Sequence, residues 1–198
     1  MKKFALTIVL IIIVFSLSSC VSFGKSMIKD DLLELKKENV HMIDGEYNYN
    51  GYEYVRNNNV KSDRAGNVGD ILDVKSSLIN NCDRVRIKSV PLVKDKMYEI
   101  QFAFLKDNEV KCLFKYDAEL KKGMLLLKKG MLLLKNYISK CHGVPYLLGG
   151  CQVSQSRMGL TKNQNLLIQK YRDNSGALLL FFWSGYTINY AEKYKRIN

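Results

Sequence analysis

The residues of this chain that could do chemistry are mainly its cysteines. The sequence holds five cysteines and two histidines. A thiol can be acylated, joined to a second thiol, bound to zinc, or activated by a base as a nucleophile. The sequence around each cysteine decides among these chemistries, and Cys20 has the most informative neighbours.

Cys20 closes the tetrad Leu17-Ser18-Ser19-Cys20 at the end of an N-terminal export segment. Lys2 and Lys3 form a short basic region, and residues 4–15 are apolar except for one threonine. This run is short for a membrane-spanning helix, and no charged stop-transfer flank follows it. The pattern indicates an exported protein that is processed next to Cys20.

The tetrad resembles the signal of bacterial lipoproteins, in which cleavage precedes the cysteine and its thiol carries diacylglycerol. The resemblance implies a signal peptide over 1–19, a lipid-anchored tether over 20–27 and a single β-rich domain over 28–198. Each methylene buried in the bilayer contributes about 0.8 kcal/mol, so a multiply acylated cysteine is a stable anchor. In proteobacterial lipoproteins, an aspartate after the cysteine favours the inner membrane. Val21 stands there instead, so we expect the bacterial outer membrane and a domain facing the periplasm.

Four cysteines remain for the domain: Cys82, Cys112, Cys141 and Cys151. An exported compartment permits disulfides, and four thiols allow three connectivities. One candidate pair joins Cys141 and Cys151 across the intervening Pro/Gly turn. Zinc is the alternative, because a histidine follows Cys141, but no Cys-x-x-Cys spacing occurs and no metal site is predicted. Buried unpaired thiols are a further alternative.

Residues 143–150 resemble the G-x-P-Y-x-x-G-G stretch of papain-like cell-wall peptidases. That family has its nucleophile in an Asp-Cys-Ser-Gly motif, whereas residues 151–154 are Cys-Gln-Val-Ser. No histidine follows His142, so the base that would generate a thiolate is missing. We therefore predict a strand-connecting turn, a structural Cys151, and no enzyme activity or cofactor.

The net charge of +12 would suit several anionic partners. The lysines are spread along the chain rather than clustered, and an envelope location separates the protein from nucleic acid. Attraction to anionic lipid head groups is therefore favoured over nucleic-acid binding. The sequence identifies no protein partner.

Two helices and a strand are predicted before residue 80. Acidic residues near its start and basic residues near its end favour a helix from Ile28 to Val40. The tyrosine-rich segment from Tyr47 to Tyr54 is typical of a strand. Residues 57–69 are expected to be a loop, and Asp70 is expected to cap a short helix from Ile71 to Ile79.

From residue 84 the hydrophobic pattern changes to a period of two. Residues 97–104 and 109–116 alternate apolar with polar side chains, and Lys106-Asp107-Asn108 is typical of a turn, so this is the strongest hairpin prediction. The apolar face predicts a set of candidate cavity residues: Tyr47, Tyr98, Ile100, Phe102, Phe104 and Phe114.

The alternating pattern returns after the centre of the chain. Strands are predicted over 152–160, 165–171, 177–183 and 186–194, with Asp173-Asn174-Ser175-Gly176 as a turn between two of them. The segment 177–183 is apolar on both faces and is expected to be a central strand. Consecutive strands with short turns favour a mainly β antiparallel meander that closes into a barrel or half-barrel.

Residues 121–127 read KKGMLLL, and residues 128–134 repeat them. A single tandem copy is typical of replication slippage rather than of a solenoid. An insertion of seven residues within a strand would invert the facing of everything downstream, so a longer hairpin or surface bulge is expected. A Leu-rich membrane helix is the alternative, and the two glycines disfavour it.

Gly45-Glu46-Tyr47, the late strands and the terminal Tyr194-Lys195-Arg196-Ile197 together resemble uncharacterised lipocalin-like lipoproteins of Bacteroidota-type bacteria. Lipocalins have a tryptophan near the first-strand glycine and a late arginine that packs across its ring. The resemblance implies a lipocalin-like barrel in which Tyr47 and Arg196 take these two places.

Three functions are consistent with these features. The first is a membrane-anchored, non-catalytic envelope module that binds a small apolar ligand. The second is a structural or protein-interaction lipoprotein whose barrel is filled with side chains. A cell-wall peptidase-like enzyme is disfavoured by the missing base. A ligand cavity and a packed core use the same apolar residues, so the sequence leaves the first two open.

Overall fold

The structure is a computed structural model that describes residues 23, 28, 31–56, 60–62, 65–121, 130–144, 148–178 and 182–197. The predicted signal peptide, Cys20, most of the tether and most of the duplicated segment lie outside these residues. Within the described part of the chain, no helix is long and apolar enough to cross a membrane.

The fold is mainly antiparallel β, as the alternating pattern predicts. The described residues contain three short helical segments: a first 3₁₀ helix (Lys37–Ile43), α1 (Val68–Ile71) and a second 3₁₀ helix (Ser77–Ile79). The strands of the described residues are β1 (Leu32–Leu33), β2 (Gly45–Asn48), β3 (Glu53–Arg56), β4 (Val60–Ser62), β5 (Arg84–Pro91), β6 (Met97–Lys106), β7 (Glu109–Lys121), β8 (Met131–Leu134), β9 (Ile138–Val144), β10 (Leu148–Thr161), β11 (Leu166–Leu178) and β12 (Phe182–Tyr194).

One sheet contains all these strands and curls until its ends meet. Its order is β2-β5-β6-β7-β8-β10-β11-β12-β3-β4, and both β1 and β9 pair with β10. The chain after β12 returns to β2, because Tyr47 and Arg196 form a β-bridge and the Ile197 N–H donates to the Glu46 carbonyl at 2.8 Å. The predicted meander therefore forms a barrel-like sheet that is closed by hydrogen bonds between β2 and the residues after β12.

The hairpin of β6 and β7 is confirmed. Asp107 and Asn108 connect the strands with φ angles of 52° and 67°. Two left-handed residues in a two-residue connection match the right-handed twist of the flanking strands. The turn residues and the alternating pattern specify the same hairpin locally, which is why the sequence predicts it correctly.

The helix predicted from Ile28 to Val40 is wrong in its first part. Leu32 pairs with Thr161 as part of β1, and helical structure begins only at Lys37. The apolar residues of this segment are buried in two different places. Leu32 packs outside the barrel, whereas Leu35 belongs to the main core, so the chain between them must be extended rather than helical.

The strand predicted over Tyr47–Tyr54 is interrupted. β2 ends at Asn48 and β3 begins at Glu53. Between them, the Gly51 N–H donates to the Gly66 carbonyl at 2.9 Å. A Cβ on Gly51 would lie 2.6 Å from the Ala65 Cβ, so the break depends on glycine.

The segment predicted as a loop and then a helix contains more elements than expected. Residues 60–62 form β4, and the helix predicted over Ile71–Ile79 is divided between α1 and the second 3₁₀ helix. Asn67 rather than Asp70 caps α1, because its side chain accepts the Asp70 N–H at 2.9 Å. Asp73 then adopts φ 56°, a left-handed conformation that ends the helical turn.

The turn predicted at residues 173–176 is wrong. The strand predicted over 177–183 is not a single strand, because residues 177–178 end β11 and residues 182–183 begin β12, and residues 179–181 lie outside the described residues. β11 runs through residues 173–176, with Asp173 opposite Thr187 and Gly176 opposite Ser184. The Thr187 hydroxyl donates to the Asp173 carboxylate at 2.8 Å, so a turn-forming residue is satisfied within a strand. The chain reverses between Leu178 and Phe182 instead.

These long strands form an extension beyond the barrel. We define the extension as β9 with residues 148–154, 172–178 and 182–188 of the next three strands. Its residues are paired in register from β9 through β12. A disulfide between Cys141 and Cys151 joins its first two strands.

Candidate functional site

The residues predicted to line a cavity lie on the inner face of the sheet. Phe114 is half-buried, and its ring meets Phe104 edge-on with centroids 5.7 Å apart. Phe102 meets Tyr116 in the same way at 5.8 Å. The others are at most 7% exposed: Tyr47, Tyr98, Ile100, Phe102 and Phe104. The inner face is thus occupied by aromatic and aliphatic side chains that pack on one another.

One end of the barrel is closed by the first 3₁₀ helix and by Arg196. The Tyr47 hydroxyl donates to the Ile43 carbonyl at 2.8 Å. Arg196 donates through Nη1 to the Met42 carbonyl at 2.8 Å and to the Tyr47 oxygen at 3.1 Å, and through Nη2 to the Asp44 carbonyl. Its guanidinium carbon lies 5.4 Å from the Tyr47 ring centroid.

The environment of Tyr47 is consistent with this packing. Burial raises the pKa of Tyr47 to about 12, while the nearby Arg196 opposes the shift. The hydroxyl therefore stays protonated and donates its hydrogen bond. The arginine-on-tyrosine arrangement is the one that the lipocalin resemblance implied for these two residues.

The other end of the barrel receives residues 65–82, which we call the plug. The plug contains α1 and the second 3₁₀ helix, and its apolar side chains join the main core beside the inner face of the strands. They are Val68, Ile71, Leu72 and Ile79. Burial of these side chains favours keeping the plug inside the barrel mouth.

A polar cluster lies where the plug meets the wall, and we call it the Asp73 cluster: Asp73, Ser154, Lys170 and Arg172. The Asp73 Oδ1 lies 2.5 Å from the Lys170 Nζ and 3.0 Å from the Arg172 Nη2. Its Oδ2 accepts the Ser154 hydroxyl at 3.1 Å. Lys170 also donates to the Asp70 carbonyl at 3.3 Å.

The Asp73 cluster is suited to holding the plug rather than to acid–base chemistry. The Lys170 side chain is 0% exposed, so no substrate reaches its amine. Burial lowers the pKa of Lys170, and the hydrogen bond and charge of Asp73 oppose that shift. Both carboxylate oxygens of Asp73 are already bonded to the barrel wall. The arrangement fixes the position of the plug.

A second buried carboxylate lies beside the start of the plug. Glu192 is 5% exposed and accepts the Tyr194 hydroxyl at 2.5 Å. Burial raises the pKa of Glu192, and hydrogen bonds from Tyr194 and from the Gly66 N–H lower it in part. This contact ties the plug to β12.

The cysteines of the domain are placed in two groups. Cys141 and Cys151 form the disulfide, so the Cys151 sulfur is not a free thiol here. Cys82 is buried and Cys112 is half-buried, both as free thiols whose pKa is raised chiefly by burial. Cys20 lies outside the described residues. In the described part of the chain, no group of three or more His, Cys, Asp or Glu side chains could hold a metal ion.

A contact on the outer face of the barrel was not predicted from the sequence. The guanidinium carbon of Arg157 lies 4.6 Å from the centroid of the Phe23 ring, and Phe23 meets Tyr171 edge-on at 6.1 Å. Arg157 also donates to the Gln169 side chain at 2.7 Å, and burial lowers its pKa to about 10. Phe23 therefore packs against the wall.

An open polar depression of about 300 Å³ lies on the extension. Asp173, at its edge, already accepts hydrogen bonds from Tyr171 and Thr187. Its lining is small or polar: Asp173, Ser175, Ser184, Gly185, Tyr186 and Thr187. Such a surface offers no apolar enclosure for a ligand.

Comparisons with protein-family models, with curated proteins and with solved structures found no match. The functional argument therefore depends on the residues and contacts described above.

Proposed function

We propose that the protein is a lipid-anchored lipoprotein of the bacterial cell envelope whose filled barrel is a non-catalytic interaction module. The observation that carries this proposal is the packing of the inner face. Phe102 and Phe104, which the sequence offers as cavity residues, are 0% exposed and contact other aromatic rings. The filled barrel is therefore favoured over the apolar-ligand carrier.

The closed ends of the barrel also favour the filled barrel over the apolar-ligand carrier. Arg196 and the first 3₁₀ helix cover one end, and the plug covers the other. A ligand entering past the plug would have to break the contacts of Asp73 with Lys170 and Arg172. Opening would also expose the buried apolar side chains of the plug to water, which opposes spontaneous opening.

Lipid anchoring is supported by the sequence around Cys20. Phe23 packs on the barrel wall, and three residues span at most about 10 Å. An acyl chain on Cys20 would hold the barrel close to the bilayer. The Cys141–Cys151 disulfide suits an exported compartment, and Val21 favours the outer membrane with the domain in the periplasm.

The absence of catalysis is also part of the proposal. It is supported by the disulfide, because a sulfur bonded to Cys141 cannot act as a thiolate nucleophile. Incubating the mature protein with peptidoglycan fragments and an iodoacetamide probe tests this point. Cleavage that disappears in Cys151→Ala would revive the peptidase resemblance.

Native mass spectrometry distinguishes the filled barrel from the ligand carrier. Protein released from membranes in mild detergent is expected to carry its covalent acyl mass and no stoichiometric non-covalent lipid. Phe102→Ala provides a positive control, because an apolar void can bind small apolar molecules and should bind a fluorescent probe that the wild type excludes. A lipid retained by the wild type at one per chain would favour the ligand carrier.

Metabolic labelling with an alkyne fatty acid tests the anchor. The wild type is expected to incorporate the label, and Cys20→Ser is expected to lose it. Cys112→Ser is the matched control, because it removes a free, half-buried thiol elsewhere in the chain and should keep the label. Equal labelling of wild type and Cys20→Ser would overturn the anchor.

A further inference from the structure

The open depression of about 300 Å³ on the extension lies along an edge of the sheet. β12 pairs with β3 through residues 190–193, so within the described part of the chain residues 184–187 have β11 as their one strand partner. The depression follows residues 184–187 and reaches Asp173 and Ser175 of β11. It therefore combines the outer face of two strands with an open strand edge.

The edge of β12 offers backbone donors and acceptors to the depression. The Lys193 carbonyl accepts the Tyr52 N–H at 2.9 Å, so the backbone groups of Lys193 point away from β11. The pairing of β11 with β12 has no register shift, and backbone groups alternate in direction along a strand. The N–H and C=O groups of Gly185 and Thr187 therefore point toward the open edge, where no described strand pairs with them.

The side chains add a fixed carboxylate and several hydroxyls. The Asp173 Oδ2 accepts the Thr187 hydroxyl at 2.8 Å and the Tyr171 hydroxyl at 3.2 Å. Its Oδ1 accepts no hydrogen bond from the described residues. Ser175 and Ser184 supply hydroxyls that both donate and accept. A ligand in the depression thus meets an ionised acceptor between groups of both hydrogen-bonding senses.

Tyr186 gives the depression an aromatic surface. Its side chain is 52% exposed, so its ring is open to a ligand. An aromatic ring has an apolar face, and the hydroxyl of a tyrosine adds a polar tip. A sugar ring has the complementary surfaces, because one face carries C–H groups while the hydroxyls around its edge donate and accept hydrogen bonds.

The strands below the depression are held in place without a ligand. The disulfide between Cys141 and Cys151 joins β9 to β10, and Ser175 lies opposite Cys151 in β11. A Cβ on Gly185 would lie 2.6 Å from the Asn174 carbonyl oxygen, so the close approach of β11 and β12 depends on glycine here. A site that is already ordered loses less free energy on binding.

We propose that this depression binds an uncharged carbohydrate, with a sugar ring on Tyr186 and its hydroxyls bonded to the Asp173 Oδ1 and to the edge of β12. Its volume is at the lower end of the range of about 300–1,000 Å³ for ligand pockets, which suits a single sugar unit of a longer chain. Asp173 is the one charged residue of the lining, and an unpaired carboxylate disfavours sugars that carry carboxylate or phosphate. The site does not depend on the proposed anchor.

Isothermal titration calorimetry of the full-length protein tests the proposal with chitotriose and maltotriose, two uncharged trisaccharides, at millimolar concentrations. The detergent has no sugar head group, because an alkyl glycoside would compete for the site. We expect binding of at least one of the two, and binding at least about tenfold weaker for trigalacturonate, which carries a carboxylate on each ring. No binding of either uncharged trisaccharide would overturn the proposal, as would equal binding of trigalacturonate.

Variants assign the binding to the depression. Tyr186→Ala is expected to weaken the affinity about tenfold or more because it removes the aromatic face, whereas Tyr186→Phe keeps that face and should retain binding. Asp173→Asn should weaken the affinity about three- to tenfold, because hydrogen bonds to an ionised group are roughly twice as strong as neutral ones. Tyr52→Ala is the matched control, because Tyr52 is 44% exposed and lies outside the depression.

The outcomes separate this site from the other proposals. Far-UV circular dichroism shows whether each variant is folded, and the exposed position of Tyr186 makes Tyr186→Ala the variant that leaves the fold unchanged. Unchanged affinity in both Tyr186→Ala and Asp173→Asn would overturn the assignment. A wild-type dimer in sugar-free buffer that Tyr186→Ala dissociates would assign the β12 edge to self-association instead. Failed alkyne labelling would remove the anchor and leave the titrations unaffected.

Discussion

Asp73 shows how one residue joins the plug to the barrel. Its left-handed backbone, with φ 56°, turns the chain at the end of α1 and costs on the order of 1 kcal/mol or more. That conformation is accompanied by contacts from Lys170, Arg172 and Ser154. The alternating pattern of β11 places Lys170 on the same inward face as Ile168, so one member of this ion pair is visible in the sequence. Its partner could not be predicted, since only the closed fold brings the plug to β11.

Asp73→Asn is expected to be strongly destabilising. The substitution leaves the fully buried Lys170 amine without its carboxylate, a change that costs about 3–5 kcal/mol in the free energy of unfolding. Asp95→Asn is the matched control, because Asp95 pairs with Lys37 at the surface. Urea denaturation should show a large decrease in the free energy of unfolding for Asp73→Asn and no decrease for Asp95→Asn. Similar stabilities for the two variants would contradict the proposed role of the Asp73 cluster.

Glu192 predicts a pH dependence of stability. Because burial raises its folded-state pKa, the native state binds more protons than the unfolded state as pH rises from about 4.3 through the raised folded value. Stability contributed by protonated Glu192 is present at lower pH and lost across this window. Glu192→Gln should remove that loss in denaturation curves measured over a pH series.

The control for Glu192 is Glu109, whose contribution to stability changes with pH in the opposite direction. Hydrogen bonding to Lys111 lowers the pKa of the exposed Glu109, so its contribution is present at higher pH and lost on acidification. Glu109→Gln should therefore flatten the acid side of the profile. A Glu192→Gln profile that keeps the wild-type decline would show that another group is responsible.

At the scale of elements, the sequence predicts a segment well when its turn residues and its alternating pattern agree. They agree for β6 and β7, where Asp107 and Asn108 form the connection. They conflict at residues 173–176, where a strong local turn signal lies inside β11. Pairing of Asp173 with both Val153 and Thr187 outweighs that signal.

The duplicated KKGMLLL segment lies between β7 and β8, and its second copy supplies β8. β7 ends at Lys121, within the first copy, and β8 is the MLLL of the second copy. Lys121 pairs with Met131, so residues 122–130 connect the two strands. Leu132 and Leu134 are 0% exposed, so one copy of the leucine run is required by the core.

Deleting residues 128–134 is expected to preserve the fold. Residues 124–127 have the same sequence as β8 and can take its place, and Lys122-Gly123 would then form a two-residue hairpin connection with glycine available for the turn. The shorter connection lowers the closure entropy by about 1 kcal/mol, so Tm should stay similar or rise. Far-UV circular dichroism and thermal melting measure the outcome. A molten or unfolded deletion variant would show that both copies are required.

At the scale of the whole molecule, the N-terminal and C-terminal parts of the domain are hydrogen-bonded to each other. The bridge between Tyr47 and Arg196 joins β2 to the residues after β12, and the Asn48 N–H adds a bond to the Lys195 carbonyl at 2.9 Å. Alternation along the chain predicted a meander, and only the lipocalin resemblance paired these two residues. Neither predicted the extension, because strand length beyond a core leaves no hydrophobic period to detect.

Arg196→Ala is expected to loosen the whole barrel rather than one strand. It removes donors to the Met42 and Asp44 carbonyls and the cation above the Tyr47 ring, which together should lower the free energy of unfolding by about 2–3 kcal/mol. Hydrogen exchange should accelerate in both β2 and residues 195–197, since these two segments are hydrogen-bonded to each other. The free energy of unfolding of Arg196→Lys should lie between those of the wild type and Arg196→Ala, because an ammonium cannot reproduce the planar fork of the guanidinium.

Lys195→Ala is the matched control for Arg196. Its side chain is exposed, and its backbone carbonyl keeps the bond from Asn48. The variant should therefore melt like the wild type and retain slow exchange in β2.

If Arg196→Ala and Lys195→Ala behave alike, the backbone bonds alone close the sheet and Arg196 contributes nothing further. If Arg196→Ala accelerates exchange in β2 and residues 195–197 while leaving the β6–β7 hairpin slow, closure is a separable step and the sheet is stable without it. Acceleration throughout all of the strands is the outcome we expect, because the inner face is one continuous core.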